Sequence, residues 1–251
     1  MAARHAALPL PEPPKPLGLP ELLDKAFRVY RRNFVLFGLM AVGVALPDLV
    51  VEWIWGSGTV LGITRIVYGP LALGLLFIGS TQVVIWNEAD LKAVLRASFQ
   101  RYLRFAAIFI LYAIATFSLF IPPLGLWVLV RRSMAAPALA AEPIGARQAV
   151  KRSIYLVKGA SWRTLFTMLA VCVLVVVVVM ILGTISGVAI SFVPGLPEDV
   201  SLLAVGSAFV LSGSLAVPLV PICMSLLYVD LRVRKEGFEL DYLATSASSA
   251  A

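Results

Sequence analysis

Arg131 and Arg132 stand side by side inside an otherwise apolar run, Leu124 to Ala141. A charge at the centre of a membrane-embedded helix costs ~2.5–3.5 kcal/mol on insertion scales, so such residues face a bundle interior or a wet groove. Adjacent helical positions diverge by about 100°, so the two guanidinium groups cannot point the same way. They are the first candidates for holding an anionic headgroup or metabolite. The alternative is a shallow hairpin that lets both snorkel to headgroups. A second set is Asp48, Glu52 and Arg65, on either side of the Gly56-Ser57-Gly58 turn. At 1.5 Å per residue from that turn, Asp48 and Arg65 reach similar depths of about 10 Å, which predicts an intramembrane ion pair. It either locks a hairpin or lines a substrate or ion path.

Conventional catalytic chemistry lacks its parts. The sole histidine, His5, lies in a Pro-rich stretch, so neither a His relay nor a metal site is supported. No H-E-x-x-H, G-x-S-x-G, P-loop or C-x-x-C motif occurs. Glu198 and Asp199 read as a solvated turn, and Glu142, Glu88 and Asp90, flanked by basic residues, as headgroup-level ion pairs. Cys172 and Cys223 lie in apolar runs and read as packing residues. The expectation is no catalytic set, no cofactor and no metal.

The elements that must position these charges follow from hydropathy. Mean hydropathy is +0.93, with 60% hydrophobic and 14% charged residues, far from a soluble domain. The net charge of +7 borders apolar runs instead of forming a polar face, which points to anionic lipid headgroups and away from nucleic acid. Eighteen of the 21 Lys and Arg residues fall in four segments: Arg4 to Arg32, Lys92 to Arg104, Arg147 to Arg163, and Arg232 to Lys235. The links near 56–59, 121–123 and 194–199 have none. By the positive-inside rule this alternation predicts three helical hairpins with both termini cytoplasmic. The spans are expected at 34–55, 60–86, 105–121, 124–141, 164–192 and 200–228, the third and fourth either crossing fully or forming a re-entrant hairpin.

Short amphipathic basic segments precede the hairpins at 22–34, 91–105 and 146–162. Each carries a small residue followed by two apolar ones: Ala26, Phe27, Tyr30; Ser98, Phe99, Tyr102; Ser153, Ile154, Val157. That spacing predicts one apolar face per segment, lying in the headgroup plane. Gly183 to Gly187 in the fifth span and Ala208, Ser212 and Ala216 in the sixth form small faces for close helix packing. Pro218 and Pro221 are expected to kink the sixth span.

The run LLYVDLRVRKEGFELDYLA, residues 226–244, resembles the C-terminal end of the glycerophosphoryl diester phosphodiesterase membrane-domain family. The resemblance is carried by Tyr228, Asp230, Leu231, Arg232, Val233, Arg234, Lys235, Glu236, Gly237 and Phe238, then Glu239, Leu240 and Asp241. Arg152, Ser153, Leu156, Val157, Lys158 and Gly159, and the Arg31–Phe34 segment, fit as well. It implies a bacterial-type inner-membrane domain; the family's hydrolase activity belongs to a separate barrel, which this chain is not expected to hold. Physically, Asp230 and Arg234 are four apart and can pair, Arg232, Arg234 and Lys235 oppose the helix dipole, and Gly237 suits an αL cap.

The expected fold class is therefore all-α, a polytopic helical membrane bundle of about six segments over 21–241. A Pro-rich arm without a signal peptide (1–20) and an Ala/Ser tail (242–251) flank it. The expected function is a non-catalytic inner (plasma) membrane module engaging anionic headgroups or a membrane protein partner. The alternatives are a small transporter with a polar path at the intramembrane arginines and, less supported, a membrane enzyme acting on headgroups.

Overall fold

The computed structural model describes residues 17–55, 59–120, 122–195 and 197–236. In chain order the helices are α1 (Leu19–Arg32), α2 (Phe34–Trp55), α3 (Thr59–Trp86), α4 (Leu91–Gln100) and α5 (Tyr102–Phe117). After a 3-10 turn at Ser118–Phe120 come α6 (Pro122–Arg132), α7 (Ala135–Ala141), α8 (Ala146–Val157), α9 (Ser161–Ser191), α10 (Glu198–Ser214) and α11 (Leu219–Glu236). No strand occurs among the described residues, so the all-α expectation holds. Six segments are long and apolar enough to cross a membrane: Phe34–Ile54, Gly62–Trp86, Tyr102–Phe120, Leu124–Ala141, Ser161–Ser191 and Val200–Glu236. The protein is a multi-pass helical membrane protein. The Gly56–Gly58 turn, residues 1–16 of the expected Pro-rich arm (1–20) and all of the expected Ala/Ser tail (242–251) lie outside the described residues, as do Gly237 and Phe238.

Apolar side chains cover the outside of the spans as well as filling the core. The α9 span is 11% buried, whereas the span ending in α11 is 67% buried. Outward along α9 point Leu169, Val173, Val177 and Ile181, while Ser80, Thr81, Ser98, Ser153, Thr164 and Ser225 are buried. In lipid, apolar side chains gain nothing by packing inward, and small polar ones join helices instead. Thr81 on α3 and Ser225 on α11 share a 3.1 Å hydrogen bond. The 31-residue α9 is about 46 Å long, more than a ~30 Å hydrocarbon core, so it tilts or emerges from the membrane.

The α9–α10 hairpin uses the expected small faces. A Cβ on Gly183 would sit 2.2 Å from the Phe209 ring, and one on Gly187 would sit 3.2 Å from Val205. Ser186 and Ser212 meet at 3.0 Å. Ala216 falls beyond the end of α10.

Prolines divide the spans further than expected. The sixth span breaks between Ser214 and Leu219, at Pro218, and α11 runs on to Glu236; Pro221 occupies its first turn, where a missing N–H costs nothing. The segment 124–141 is likewise not one helix. Pro137 has no N–H for the Ser133 carbonyl, and the chain turns at Ser133–Met134. The freed groups find side chains: the Tyr112 hydroxyl donates to the Ser133 carbonyl (2.9 Å) and accepts from the Ala136 amide (3.1 Å). Ser153 donates to the Arg131 carbonyl (2.8 Å) and accepts from the Met134 amide (3.0 Å). Tyrosines also reach carbonyls near two other prolines: Tyr30 donates to Leu215, in the break before Pro218, and Tyr102 to Val67, in the turn before Pro70 of the continuous α3, each at 2.6 Å.

The three amphipathic segments form α1, α4 and α8; of the expected apolar pairs, Val157 is buried and Tyr30, Tyr102 and Ile154 are half-buried. Each buries its small residue together with the residue four earlier: Leu22 with Ala26, Val94 with Ser98, Ala149 with Ser153. Phe27 and Phe99 are exposed. A small side chain admits a close neighbour, whereas a lipid-facing position tolerates a large ring, so the small member marks the inward face.

Candidate functional site

Arg131 and Arg132 form the last turn of α6, where positive charge is favoured by the exposed carbonyls of a helix C-terminus. The Arg131 guanidinium lies 4.1 Å from the centre of the Trp127 ring, and its Nε is buried without a partner. The break after Arg132 replaces the expected mid-span position with a helix end. Both side chains are half-buried.

Asp48 and Arg65 do pair. Arg65 Nε lies 3.0 and 3.2 Å from the two carboxylate oxygens and Nη2 3.0 Å from one, and the Tyr68 hydroxyl also donates to Asp48. Sequence reasoning missed Tyr68, although its spacing of three from Arg65 places it on the same face of α3. Glu52 takes no part in this pair. Its Oε1 lies 3.5 Å from the position a Cβ on Gly206 would take, against α10, beside the 2.7 Å bond from Trp53 Nε1 to Ser207.

The C-terminal motif supplies the densest polar constellation. The fully buried Asp230 carboxylate accepts from the Leu17 amide (2.7 Å), Arg163 (2.9 Å) and Arg234 (3.0 and 3.2 Å). Arg163 and Arg234 also donate to the Leu17 carbonyl. One side chain thus ties the start of α1, the first turn of α9 and the last turns of α11. Because Leu17 meets Asp230 while Tyr30 meets Leu215, α1 runs antiparallel along α11 for about 20 Å. The Asp230–Arg234 pair was legible from spacing; Leu17 and Arg163 were not.

A second cluster joins α11 to α8. Arg152 bonds Glu142 (3.1 Å) and Glu236 (2.8 Å), Arg232 Nε bonds Glu236 (3.2 Å), and the Tyr228 hydroxyl donates to Glu142. Burial pulls the Arg152 pKa down, but the bond to Glu236 and the charge of Glu142 outweigh it, leaving it above the ordinary value. Lys235 donates to the Lys158 carbonyl (2.7 Å) and to the Tyr155 carbonyl, and stands 4.6 Å from the Tyr155 ring centre. The end of α8 is thereby capped from another helix. On α4, Asp90 accepts from the Lys92 amide (3.1 Å) as the N-cap. Arg101, its pKa lowered by burial, donates to the Leu139 carbonyl at 3.1 Å and so closes α7.

Beside this cluster an open cavity of about 420 Å³ is lined by Glu142, Ile144, Gln148, Lys151, Arg152 and Tyr155. Neither Arg131 nor Arg132 lines it. Among the described residues no group of three His, Cys, Asp or Glu residues could hold a metal ion, and both cysteines are free thiols. The outward faces of the three connectors carry Lys25, Arg28 and Arg31, then Lys92 and Arg96, then Arg147 and Lys151, next to the exposed rings of Phe27, Phe99 and Tyr155. No family model matches the chain, and neither a curated protein nor a solved structure does.

Proposed function

We propose that the protein is a non-catalytic module of the inner (plasma) membrane, with both termini cytoplasmic, whose connector helices engage anionic lipid headgroups. The observation that carries this reading is the pairing, on each of α1, α4 and α8, of a buried small-residue face with an outward face of cations and one exposed ring. Interfacial helices bind by apolar burial plus attraction to anionic lipid, about 1 kcal/mol per Lys or Arg near the surface. The charge alternation along the chain supports the topology. The resemblance of residues 226–244 to glycerophosphoryl diester phosphodiesterase membrane domains supports the inner membrane and lends no hydrolase activity.

The test is lipid enrichment. The protein is reconstituted in nanodiscs of equal phosphatidylglycerol and phosphatidylcholine, re-extracted gently, and its retained lipids are weighed by mass spectrometry. Enrichment of phosphatidylglycerol is expected, and it falls when Lys25, Arg28, Arg96 and Arg147 are replaced by Gln. Retained lipid that mirrors the bulk mixture would overturn the reading. Protease-accessible tags at both ends test the orientation independently.

A further inference from the structure

We infer that the cavity on α8 is a specific site for a singly charged phosphodiester with a hydroxylated headgroup, of the phosphatidylglycerol type. The inference rests on the lipid-engaging reading and deepens it. Gln148, Lys151, Arg152 and Tyr155 recur at three and four residues, so they form one stripe along α8, adjacent to its buried Ala149–Ser153 face. Of the charged residues lining the cavity, Arg152 and Glu142 are already bonded to each other, and Arg152 is further held by Glu236. The exposed Lys151 ammonium has no partner among the described residues, so it gives the cavity one uncompensated positive charge. One such charge matches a phosphodiester monoanion.

The remaining donors match what surrounds that phosphate. Gln148 Oε1 accepts from the Gly145 amide at 3.2 Å, leaving its amide N–H groups for a ligand. The Tyr155 hydroxyl has no bond to a described residue, and Lys235 covers its ring. From Gln148 to Tyr155 the stripe extends about 10 Å, wider than one small anion and suited to a phosphate flanked by hydroxyls. Ile144 supplies an apolar wall. The helix lies between the fourth and fifth candidate spans, and Trp162, stacked on Phe166 at 6.0 Å, follows within two turns. That places the cavity where a membrane lipid can present its headgroup from the side.

The experiment titrates full-length protein in neutral detergent with dihexanoyl phosphatidylglycerol, followed by calorimetry. Dihexanoyl phosphatidylcholine and deacylated glycerophosphoglycerol are the comparison ligands. Saturable binding of the phosphatidylglycerol is expected, weakened about tenfold or more by K151Q and kept within about threefold by K151R, which conserves the charge. E88Q, an exposed charge just before α4, serves as the control and leaves it unchanged. Equal affinity for the deacylated headgroup supports the phosphate site with a soluble ligand as its source. Absence of saturable binding, equal affinity for the phosphatidylcholine, or K151Q within twofold of the native protein would each overturn the site. Its failure is separable from that of the general reading. Bulk phosphatidylglycerol enrichment in nanodiscs depends on all three connectors and survives K151Q, so enrichment without the K151Q effect rejects only the cavity. A K151Q effect without enrichment rejects only the general reading. An unchanged thermal transition of K151Q excludes misfolding as the cause.

Discussion

Replacing Asp230 by Ala is the sharpest test of how the helices are joined. The carboxylate is fully buried and holds the Leu17 amide, Arg163 and Arg234. Its loss leaves the Leu17 N–H unpaired, at about 1–3 kcal/mol, and removes a charge-assisted bond to Arg163 of about 1.5–3 kcal/mol. The Arg234 pair adds little, roughly 0.3–0.5 kcal/mol, because it is an i,i+4 contact with a partly exposed partner. Arg163 and Arg234 side chains are 30% and 38% exposed, so water recovers part of their solvation and the full buried-pair penalty does not apply. The sum is about 3–5 kcal/mol for D230A and about 1.5–3 kcal/mol for D230N, which keeps an acceptor for Leu17. At about 2–4 °C per kcal/mol for a chain of this size, D230A should lower the Tm by roughly 6–20 °C. The assay is tryptophan fluorescence during heating in nanodiscs, with limited proteolysis near residue 17 as a local probe. The double variant D230N/R163Q should destabilise by less than the sum of its parts, because both act through the same carboxylate. A D230A transition within 1 °C of the native one, with strictly additive double variants, would refute the clasp.

Three further outcomes follow from the same geometry. Y112F removes the hydroxyl that serves both Ser133 and Ala136 at the α6–α7 break and should cost about 1–3 kcal/mol by thermal unfolding. Y102F, whose bond to Val67 is exposed, should cost under about 1 kcal/mol; equal losses would count against proline-break capping as a burial effect. G183A drives a methyl into the Phe209 ring and should destabilise by about 1–3 kcal/mol, with partial rescue in G183A/F209A; no rescue would exclude that contact as the cause. R65Q takes the countercharge from Asp48, leaving it the Tyr68 hydrogen bond, and should lower the thermal transition more than D48N/R65Q does, whereas a double variant worse than the single would contradict the pair.

The span count, connector positions and Asp48–Arg65 pair were legible because each depends on local spacing and on the price of charge in hydrocarbon. What the sequence could not disclose were contacts set by tertiary register. Arg163 looked like one more inward-facing cation, yet it meets an acid 67 positions away. Phe27 and Phe99 lie on the expected apolar faces, but periodicity identifies a stripe without saying whether lipid or protein lies opposite it, and the protein-facing contacts of Leu22 and Val94 were not read. The break at Ser133–Met134 was signalled by Pro137. A proline in a membrane helix bends or breaks it according to which side chains reach the freed carbonyls, and Tyr112 and Ser153 come from other helices.

These contacts also change what the positive charge means. Read along the chain, every Lys or Arg in the connectors counts equally toward the membrane surface. In the fold, Arg152, Arg163, Arg232, Arg234 and Lys235 are consumed by Glu142, Glu236, Asp230 and helix-end carbonyls. Lys25, Arg31, Lys92, Arg96, Arg104, Arg147 and Lys151 stay exposed. The two groups answer to different physics. The first sits in partly dry, bidentate or capped geometry, where salt screens little and removal of one partner is costly. The second is solvated, and its attraction for an anionic surface decays within a Debye length of about 8 Å at physiological ionic strength. Raising salt should therefore strip headgroup contacts while leaving the thermal transition nearly unchanged. A transition that fell in parallel with lipid release would mean that the clasp, and not the exposed faces, carries the headgroup contact.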